Sequence, residues 1–342
     1  MKLDIKSCVP DEIAGLMKQW GQPRFRADQV FSWMHGGCEN FGDMTNLPAA
    51  LRRKLEEECY LTCPSILRKQ VSEKDGTVKY LWKLGDGNSV ESVVMKYRYG
   101  FTICISTQVG CRMGCMFCAS TLGGLVRCLE PSEMLDQVLF AQKDMGIRIS
   151  NIVLMGIGEP LDNFDSVLRF LQLVNSPQGL QIGMRHISLS TCGLVEKVDK
   201  LAEYNLQLTL SVSLHAPDDE TRSRIMPVNR RYGVDEVVAA CSRYFEKTGR
   251  RISYEYAMIR DVNDTDRHAK LLAEKLKGTG AHVNLIRLNY VEERGLTPST
   301  PQQIERFTRI LQDGGVAVTL RRRLGSDIDA SCGQLRRKTE NN

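Results

Sequence analysis

Residues 101–124 of this 342-residue chain read Phe101-Thr-Ile-Cys104-Ile-Ser-Thr-Gln-Val-Gly-Cys111-Arg-Met-Gly-Cys115-Met-Phe-Cys118-Ala-Ser-Thr-Leu-Gly-Gly124. A short apolar strand leads into three cysteines with the spacing C-x-x-x-C-x-x-C, at Cys111, Cys115 and Cys118. Thiolates grouped this closely select a soft metal centre, either zinc or an iron–sulfur cluster. Three cysteines leave one iron of a four-iron cluster open to an outside ligand. An open coordination position indicates chemistry rather than scaffolding.

The three cysteines also have weaker interpretations that stay open. They could be small buried hydrophobic residues, or most of a structural zinc site completed by Cys104 or a histidine. Zinc sites usually show two C-x-x-C halves far apart, and the sequence contains no second half. With 12 cysteines in the chain, a chance cluster is also conceivable. The spacing favours the open cluster.

The amino-acid composition indicates the broad class of protein. A hydrophobic content of 42% and a charged content of 25% are ordinary for a globular protein with one large core and a small accessory domain. No apolar run reaches about 18 residues and the N-terminus has no apolar signal core, so we expect a cytoplasmic protein without a membrane partner. Reduced cysteines agree with that compartment. The net charge of +5 permits an RNA partner without requiring one.

The chain up to about residue 64 predicts a small helical unit, because apolar residues recur at helical spacing in three segments. These segments are Asp11–Trp20, Ala27–Met34 and Pro48–Tyr60. The unit also carries the basic residues Arg24, Arg26, Arg52, Arg53 and Lys54. From the sequence alone, solvated helix faces explain these charges better than an RNA-binding surface does.

Residues 65–98 change to the alternation of β-strands. Val78–Leu84 and Ser89–Met95 are predicted strands, and Asp75-Gly76 and Asp86-Gly87 are hairpin turn signals. Glu91 lies within the second strand. A strand glutamate is usually a solvated side chain, so this position by itself assigns no function.

From the cysteine stretch onward, strands and helices alternate in about six βα units, which predicts an α/β fold with a parallel sheet. Both a partial α/β barrel and a doubly wound open sheet fit this pattern. Chemistry in such barrels gathers at the carboxyl ends of the strands. Polar residues fall at these ends, although each alone is more often a turn or cap residue: Gly158, Glu159, Ser190, Ser213, His215 and Asn289.

The motif with Phe117 directly before the last cysteine is similar to the signature of radical S-adenosylmethionine (SAM) enzymes. The longer string S-T-Q-V-G-C-R-M-G-C-M-F-C-A-S-T, residues 106–121, resembles the RlmN family of RNA adenine-C2 methyltransferases. The resemblance implies a partial (β/α)6 TIM-like barrel over residues 99–335. It further implies an RNA-docking role for the helical domain at 1–64. The strand alternation makes residues 65–98 a β-hairpin extension, and we expect a flexible tail at 336–342.

The same resemblance implies the cofactors. Cys111, Cys115 and Cys118 would hold one [4Fe-4S] cluster. Two SAM molecules would be used per turnover, one as methyl donor and one as radical source. The family's cofactor site corresponds here to Gly158, Glu159, Ser190, Ser213, Leu214, His215 and Asn289.

Cys332 lies in the string D-I-D-A-S-C-G-Q-L, residues 327–335, after the last predicted strand. It is a candidate reactive thiol, because Arg321, Arg322 and Arg323 are near enough in sequence to lower its pKa; a buried thiol without reactivity is the alternative. The string closely resembles the family's methyl-carrying cysteine motif. The implied relay methylates Cys332, abstracts hydrogen from its S-methyl group and adds the carbon radical to adenine C2. Glu91 would then take the C2 proton, and Cys104 would form a transient disulfide with Cys332.

The implied substrates are an adenosine at the peptidyl-transferase centre of 23S rRNA and the adenosine 3′ of the tRNA anticodon, with a flavodoxin-like electron donor and a monomeric enzyme. Three alternatives remain at this point. The Cfr branch methylates C8 of the same rRNA adenosine. A zinc-binding RNA module would need neither Cys104 nor Cys332. A glycyl-radical activating enzyme would share the cluster without the Cys332 segment.

Overall fold

The computed structural model describes residues 2–289, 291–328, 330 and 335–336. Cys332 therefore lies outside the described residues, as does the predicted tail apart from Arg336. Among the described residues no helix is both long enough and apolar enough to cross a membrane.

The helices follow the predicted alternation. Their bounds are α1 Pro10–Gln19, α2 Phe25–His35, α3 Ala49–Glu58, α4 Pro131–Met145, α5 Phe164–Asn175, α6 Val195–Glu203, α7 Asp219–Ile225, α8 Val234–Thr248, α9 Asp266–Leu276 and α10 Pro301–Asp313.

The N-terminal unit consists of α1, α2 and α3, which confirms the three predicted helices. Helices α1 and α3 each bury one apolar stripe, Ile13 with Met17 and Leu51 with Leu55, because positions four apart share a helix face. The unit is joined to α4 by a fully buried ion pair, in which Lys6 Nζ lies 2.8 Å from Asp136 Oδ1. The N-terminal unit is therefore packed onto the rest of the chain.

The strands fall into one large sheet and two short pairs. Their bounds are β1 Leu3–Asp4, β2 Cys59–Tyr60, β3 Ser65–Val71, β4 Val78–Lys83, β5 Ser89–Tyr97, β6 Gly100–Cys104, β7 Gln108–Gly110, β8 Leu125–Cys128, β9 Ile149–Leu154, β10 Ile187–Thr191, β11 Thr209–Ser213, β12 Ser253–Met258, β13 His282–Arg287 and β14 Ala317–Leu320.

The large sheet has ten strands in the order β14-β13-β12-β11-β10-β9-β6-β5-β4-β3. The seven strands from β6 to β14 are parallel, whereas β3, β4 and β5 are antiparallel. Six βα units therefore precede β14, as expected of a partial (β/α)6 barrel. Because β14 and β3 lie at the two edges, the sheet is open and the predicted hairpin strands extend it rather than forming a layer of their own.

Candidate active site

The cysteine stretch forms a loop whose entry is fixed by glycine. Gly110 has φ +79°, and a Cβ there would lie 2.0 Å from the carbonyl oxygen of Gly124, so a side chain is excluded. The Cys111 N–H donates to that same carbonyl oxygen at 2.8 Å. The Thr121 hydroxyl donates to the carbonyl oxygens of Cys115 and Cys118, at 3.1 and 3.0 Å. The loop is thus shaped by its own hydrogen bonds.

Cys111, Cys115 and Cys118 line one cavity of about 270 Å³, which we call the cofactor cavity. Burial, together with the negative charges of the neighbouring thiols, raises the pKa of Cys115, and burial raises that of Cys111 to about 12. Within the described part of the chain no three potential ligand side chains already converge as a metal site. Cys192, which follows β10, also lines this cavity, whereas Cys104 lines a different one; the three cysteines of the motif are the ones that share a single loop. Three soft donors supplied by one loop at the cavity wall fit a four-iron cluster with one open iron.

The ends of the parallel strands supply the rest of the cofactor cavity. Six of the seven predicted SAM-contact residues line it: Gly158, Glu159, Ser190, Ser213, His215 and Asn289. Leu214 does not line it, because its side chain is fully buried in the hydrophobic core. The ends of the parallel strands therefore bring together residues that lie up to 131 positions apart in the sequence, from Gly158 to Asn289.

Gly158 and Glu159 are held close to the cysteine stretch by Gln108. Gly158 has φ +112°, and a Cβ there would lie 2.7 Å from Gln108 Cβ. The Glu159 N–H donates to Gln108 Oε1 at 2.9 Å, and the Cys192 N–H donates to Glu159 Oε2 at 2.7 Å. Burial raises the pKa of Glu159 even though backbone N–H donors oppose the shift. A buried carboxylate in this position is suited to accept hydrogen bonds from a ligand ammonium group.

His215 connects the end of β11 to the cysteine loop. Its ring lies edge-on to Phe117, with ring centroids 4.6 Å apart, and its Nδ1 accepts the Ala257 N–H at 2.9 Å. Burial lowers the pKa of His215 to about 3, so the ring is neutral at physiological pH. The backbone has φ +57° at this position, a left-handed conformation that turns the chain at the strand end.

Arg222 is a buried residue of this site that the sequence analysis missed. Its guanidinium donates to the carbonyl oxygens of Cys192 at 2.7 Å, Leu214 at 3.0 Å and Ser213 at 3.2 Å. It thereby joins the ends of β10 and β11. No motif surrounds Arg222, and an arginine in a short helix is ordinarily a surface residue, so only the tertiary structure shows this role.

Glu91, Cys104 and Lys79 line a second cavity of about 330 Å³, which we call the reaction cavity. Val93 is paired with Lys79 on one side and with Cys104 on the other, which places these residues in one cross-strand row. Glu91 is two residues from Val93 on β5 and points to the same face. Strand register therefore brings together the two predicted residues, and adds Lys79, which the sequence analysis missed.

The Glu91 carboxylate is bound on both oxygens. Lys79 Nζ lies 2.6 Å from Oε2, with both side chains at most 2% exposed, and the Arg336 N–H donates to Oε1 at 2.6 Å. Burial raises the pKa of Cys104, an effect that the positive charges of Arg321 and Lys79 oppose. Arg321 and Cys104 line the same cavity, so the positive charge of Arg321 acts on the thiol that is predicted to resolve the intermediate.

The cofactor cavity and the reaction cavity are contiguous, because six residues line both: Met155, Gly156, Ile286, Arg287, Asn289 and Arg321. Gly156 permits a close approach here, since a Cβ would lie 2.4 Å from the Ile105 carbonyl oxygen. Cys332 is outside the described residues, but Ala330 lines the reaction cavity and Arg336 contacts Glu91. The described residues on either side of Cys332 thus reach the same cavity.

Comparisons with known proteins agree with this geometry. The family model of the radical SAM superfamily matches residues 105–272, and the model described as the ribosomal RNA large subunit methyltransferase N-terminal domain matches residues 4–61. The fold and the cysteine site thus define a radical SAM enzyme, and this superfamily implies SAM and a [4Fe-4S] cluster.

The overall structure is similar to the crystal structure of a radical SAM methyltransferase from Sphaerobacter thermophilus, with 39% identity, a TM-score of 0.92, and coverage of 97% of this chain and 98% of that one. A probable dual-specificity RNA methyltransferase RlmN from Desulforamulus reducens is 52% identical over 99% of this chain and 97% of its own length. The corresponding protein of Clostridium tetani is 52% identical over 94% of this chain and 93% of its own. The chain belongs to the RlmN family of RNA methyltransferases.

Family and enzyme class are therefore as predicted from residues 106–121. The partial barrel of the radical SAM type is likewise confirmed. The individual roles of the site residues and the domain boundaries at 64, 98 and 335 remain predictions.

Proposed function

We propose that this enzyme methylates C2 of adenosine in 23S rRNA and in tRNA, with Cys332 as the methyl carrier. The observation that carries the proposal is the contiguity of the two cavities, one lined by the three cysteines and the other by Glu91 and Cys104. Relatives of nearly equal length named as dual-specificity RNA methyltransferases support the two RNA substrates.

In this proposal Cys111, Cys115 and Cys118 hold the [4Fe-4S] cluster, and the polar strand ends of the cofactor cavity contact SAM. When bound, the cluster and two SAM molecules per turnover supply the methyl group and the one-electron chemistry that an unreactive aromatic C–H bond requires. Glu159 accepts hydrogen bonds from the ammonium group of SAM, as its buried carboxylate permits. The neutral ring of His215 lines the same cavity and adds no charge there.

In the reaction cavity the chain's own groups complete the transfer. Cys332 carries the methyl group as a thioether. This group would give up one hydrogen atom to the radical chemistry that bound SAM supplies and bond through its carbon to C2, and the surplus electron of the adduct would return to the cluster. Glu91 accepts the proton from C2, and Lys79 holds that carboxylate in place through the 2.6 Å ion pair. The Cys104 thiolate then attacks the Cys332 sulfur and breaks its bond to the methylene carbon. That carbon takes up a proton and becomes the methyl group of the released RNA, and a Cys104–Cys332 disulfide remains. An external two-electron thiol reductant restores both thiols, and a flavodoxin-like protein supplies the single electrons.

The substrate adenine must leave its stack to enter a cavity of about 330 Å³. The N-terminal unit, residues 1–64, offers a surface that can bind the RNA on either side of the substrate adenine. Phe25 is 53% exposed, and the Arg26 guanidinium lies over its ring at 4.8 Å. Exposed aromatic and arginine planes are surfaces on which unpaired bases stack. We place the RNA across this unit and a monomeric barrel.

The test is an anaerobic assay of reconstituted enzyme on 23S rRNA and on tRNA, with nucleoside mass spectrometry. Wild type should contain about four iron and four sulfide per chain and form C2-methyladenosine. Cys332→Ala should form none. Cys104→Ala should accumulate RNA covalently bound to the protein, because the bond to Cys332 is not resolved.

Cys63→Ser, a change of an exposed cysteine away from both cavities, is the matched control and should behave as wild type. A C8-methylated product would refute the proposed regiochemistry, and full activity of Cys332→Ala would refute the carrier role.

A further inference from the structure

The turn between β3 and β4 contacts a segment some 250 residues later in the chain. We call residues 72–77 the hairpin turn and residues 324–330 the terminal segment, of which Asp329 is outside the described residues. The Ser72 hydroxyl donates to Asp327 Oδ1 at 2.6 Å, and the Glu73 N–H donates to Asp327 Oδ2 at 2.9 Å. In return, the Gly325 N–H donates to Asp75 Oδ2 at 2.8 Å.

This contact is reciprocal, since each segment supplies one carboxylate that accepts a backbone N–H of the other. Asp75 is itself oriented by the Thr77 N–H, which donates to its Oδ1 at 3.0 Å. The hydrogen bond from Ser72 lowers the pKa of Asp327. Partial burial acts to raise the pKa of Asp75, but hydrogen bonds from Thr77 and Gly325 outweigh it and lower the pKa. Both carboxylates are therefore ionised acceptors, the stronger kind of hydrogen-bond partner.

The contact forms part of the wall of the reaction cavity. Thr77 of the hairpin turn lines that cavity together with Gly325, Ile328 and Ala330 of the terminal segment. Gly325 has φ +60°, and a Cβ there would lie 3.2 Å from Thr77 Cγ2, so the two segments are closely packed. On the other side of Cys332, the Arg336 N–H donates to Glu91. The antiparallel strands thus hold the chain both before and after the cysteine.

The turn between β4 and β5, which is the next turn along the chain, makes different contacts. Asp86 occupies the equivalent turn between β4 and β5, yet its carboxylate accepts hydrogen bonds from Arg127 and Asn88. Both turns carry Asp-Gly in the sequence, and only the first contacts the terminal segment among the described residues. The Asp86 carboxylate thus joins its turn to β8, whereas the Asp75 carboxylate joins its turn to the terminal segment.

From this geometry we propose that Asp75 and Asp327 are positioning residues, which hold the terminal segment at the wall of the reaction cavity and thereby position the chain that leads to Cys332. They touch neither substrate nor cofactor and act through the segment that they fix. This inference rests on the proposed role of Cys332 as methyl carrier. It assigns a function to the hairpin extension, which is to bridge the open edges of the sheet, β3 and β14, at the point where the reaction occurs.

The experiment compares Asp75→Ala, Asp327→Ala and the double variant with Asp86→Ala as the matched control, all as reconstituted holoenzyme. Each single variant should lower the rate of C2-methyladenosine formation about tenfold, as expected for loss of a hydrogen bond to a charged group. The double variant should be little worse than either single variant, because both release the same segment. Iron content and thermal midpoint should match those of Asp86→Ala.

A second readout separates positioning from general destabilisation. In the Asp75 and Asp327 variants, alkylation of Cys332 by iodoacetamide, followed by peptide mass spectrometry, should be severalfold faster than in Asp86→Ala. Equal alkylation and equal methylation rates in all variants would overturn the positioning role while Cys332→Ala remained inactive. If Cys332→Ala were fully active, the proposed function itself would fail, so the two failures are distinguishable.

Discussion

The cofactor cavity and the reaction cavity adjoin each other but are built in different ways. The cofactor cavity is lined by the cysteine loop and by the ends of parallel strands, joined by buried hydrogen bonds such as those of Arg222 and Glu159. The reaction cavity combines the antiparallel strands β4 and β5 with residues that follow β14, from the opposite edge of the sheet. The residues proposed to bind the cofactor are thus held within the sheet, whereas those proposed to carry out the transfer depend on contacts across its opening.

Removing a thiol from the cofactor cavity should have the largest effect. We expect Cys115→Ser to abolish activity and reduce bound iron to near background, because two remaining thiolates cannot hold a four-iron cluster. Iron and sulfide analysis with the methylation assay provides the measurement. Cys128→Ser is the control, since Cys128 follows the loop closely but is not among the residues that line the cavity. Retention of four iron by Cys115→Ser would disprove the ligand set.

In the reaction cavity, the largest energetic effect should come from breaking the Lys79–Glu91 pair. Lys79→Met leaves a buried carboxylate without its ion-pair partner and should lower the free energy of unfolding by about 3–5 kcal/mol. Adding Glu91→Gln should recover most of that loss without restoring methylation. Chemical denaturation of the four proteins of this double-mutant cycle gives the coupling energy. An additive cycle would show that the ion pair does not contribute.

A smaller effect is expected at Gly158, which lines the cofactor cavity and packs against Gln108, just before the cysteine loop. Gly158→Ala would place a methyl group at φ +112° and 2.7 Å from Gln108 Cβ. We expect a loss of about 2 kcal/mol or more in stability and weaker SAM binding, measured by thermal unfolding and calorimetry. Gly15→Ala is the control, because Gly15 lies within α1 and an added Cβ would meet no atom within 4 Å, so this change should stabilise the chain slightly.

The smallest effect concerns His35, which lies in the N-terminal unit and lines neither cavity. Changing it tests whether the stability of this unit can be altered without affecting the two cavities. Burial lowers its pKa to about 4, and neither ring nitrogen has a hydrogen-bond partner among the described residues. The unfolded state therefore binds the proton more readily, so stability is lost as the pH falls below the unfolded value of about 6.5.

This histidine should contribute roughly 2 kcal/mol of lost stability between about pH 7 and about pH 5. His35→Gln should make the pH dependence shallower by that amount in denaturant titrations. It should not make the dependence flat, because burial also lowers the pKa of His215 and His268. An unchanged slope would contradict the assignment to His35. Unchanged methylation at about pH 7 would show that the two cavities do not depend on this residue.

The sequence alone predicted the residues of the cofactor cavity better than those of the reaction cavity. Cys111, Cys115 and Cys118 are recognisable because metal ligands close in sequence have a characteristic spacing. Glu159 and His215 could be grouped because parallel strands end at one side of a sheet. Lys79 and Arg222 had no such signal, since their importance depends on burial.

By itself, then, the sequence determined the cysteine site, the alternation of strands and helices, and the family. Those properties follow from local spacing and from periodicity along the chain. Only the tertiary structure decided that β3, β4 and β5 extend the parallel sheet, that Lys79 faces Glu91, and that Asp75 and Asp327 join the two ends of that sheet. These contacts depend on strand register and on loop closure over some 250 residues, which no local pattern of residues encodes.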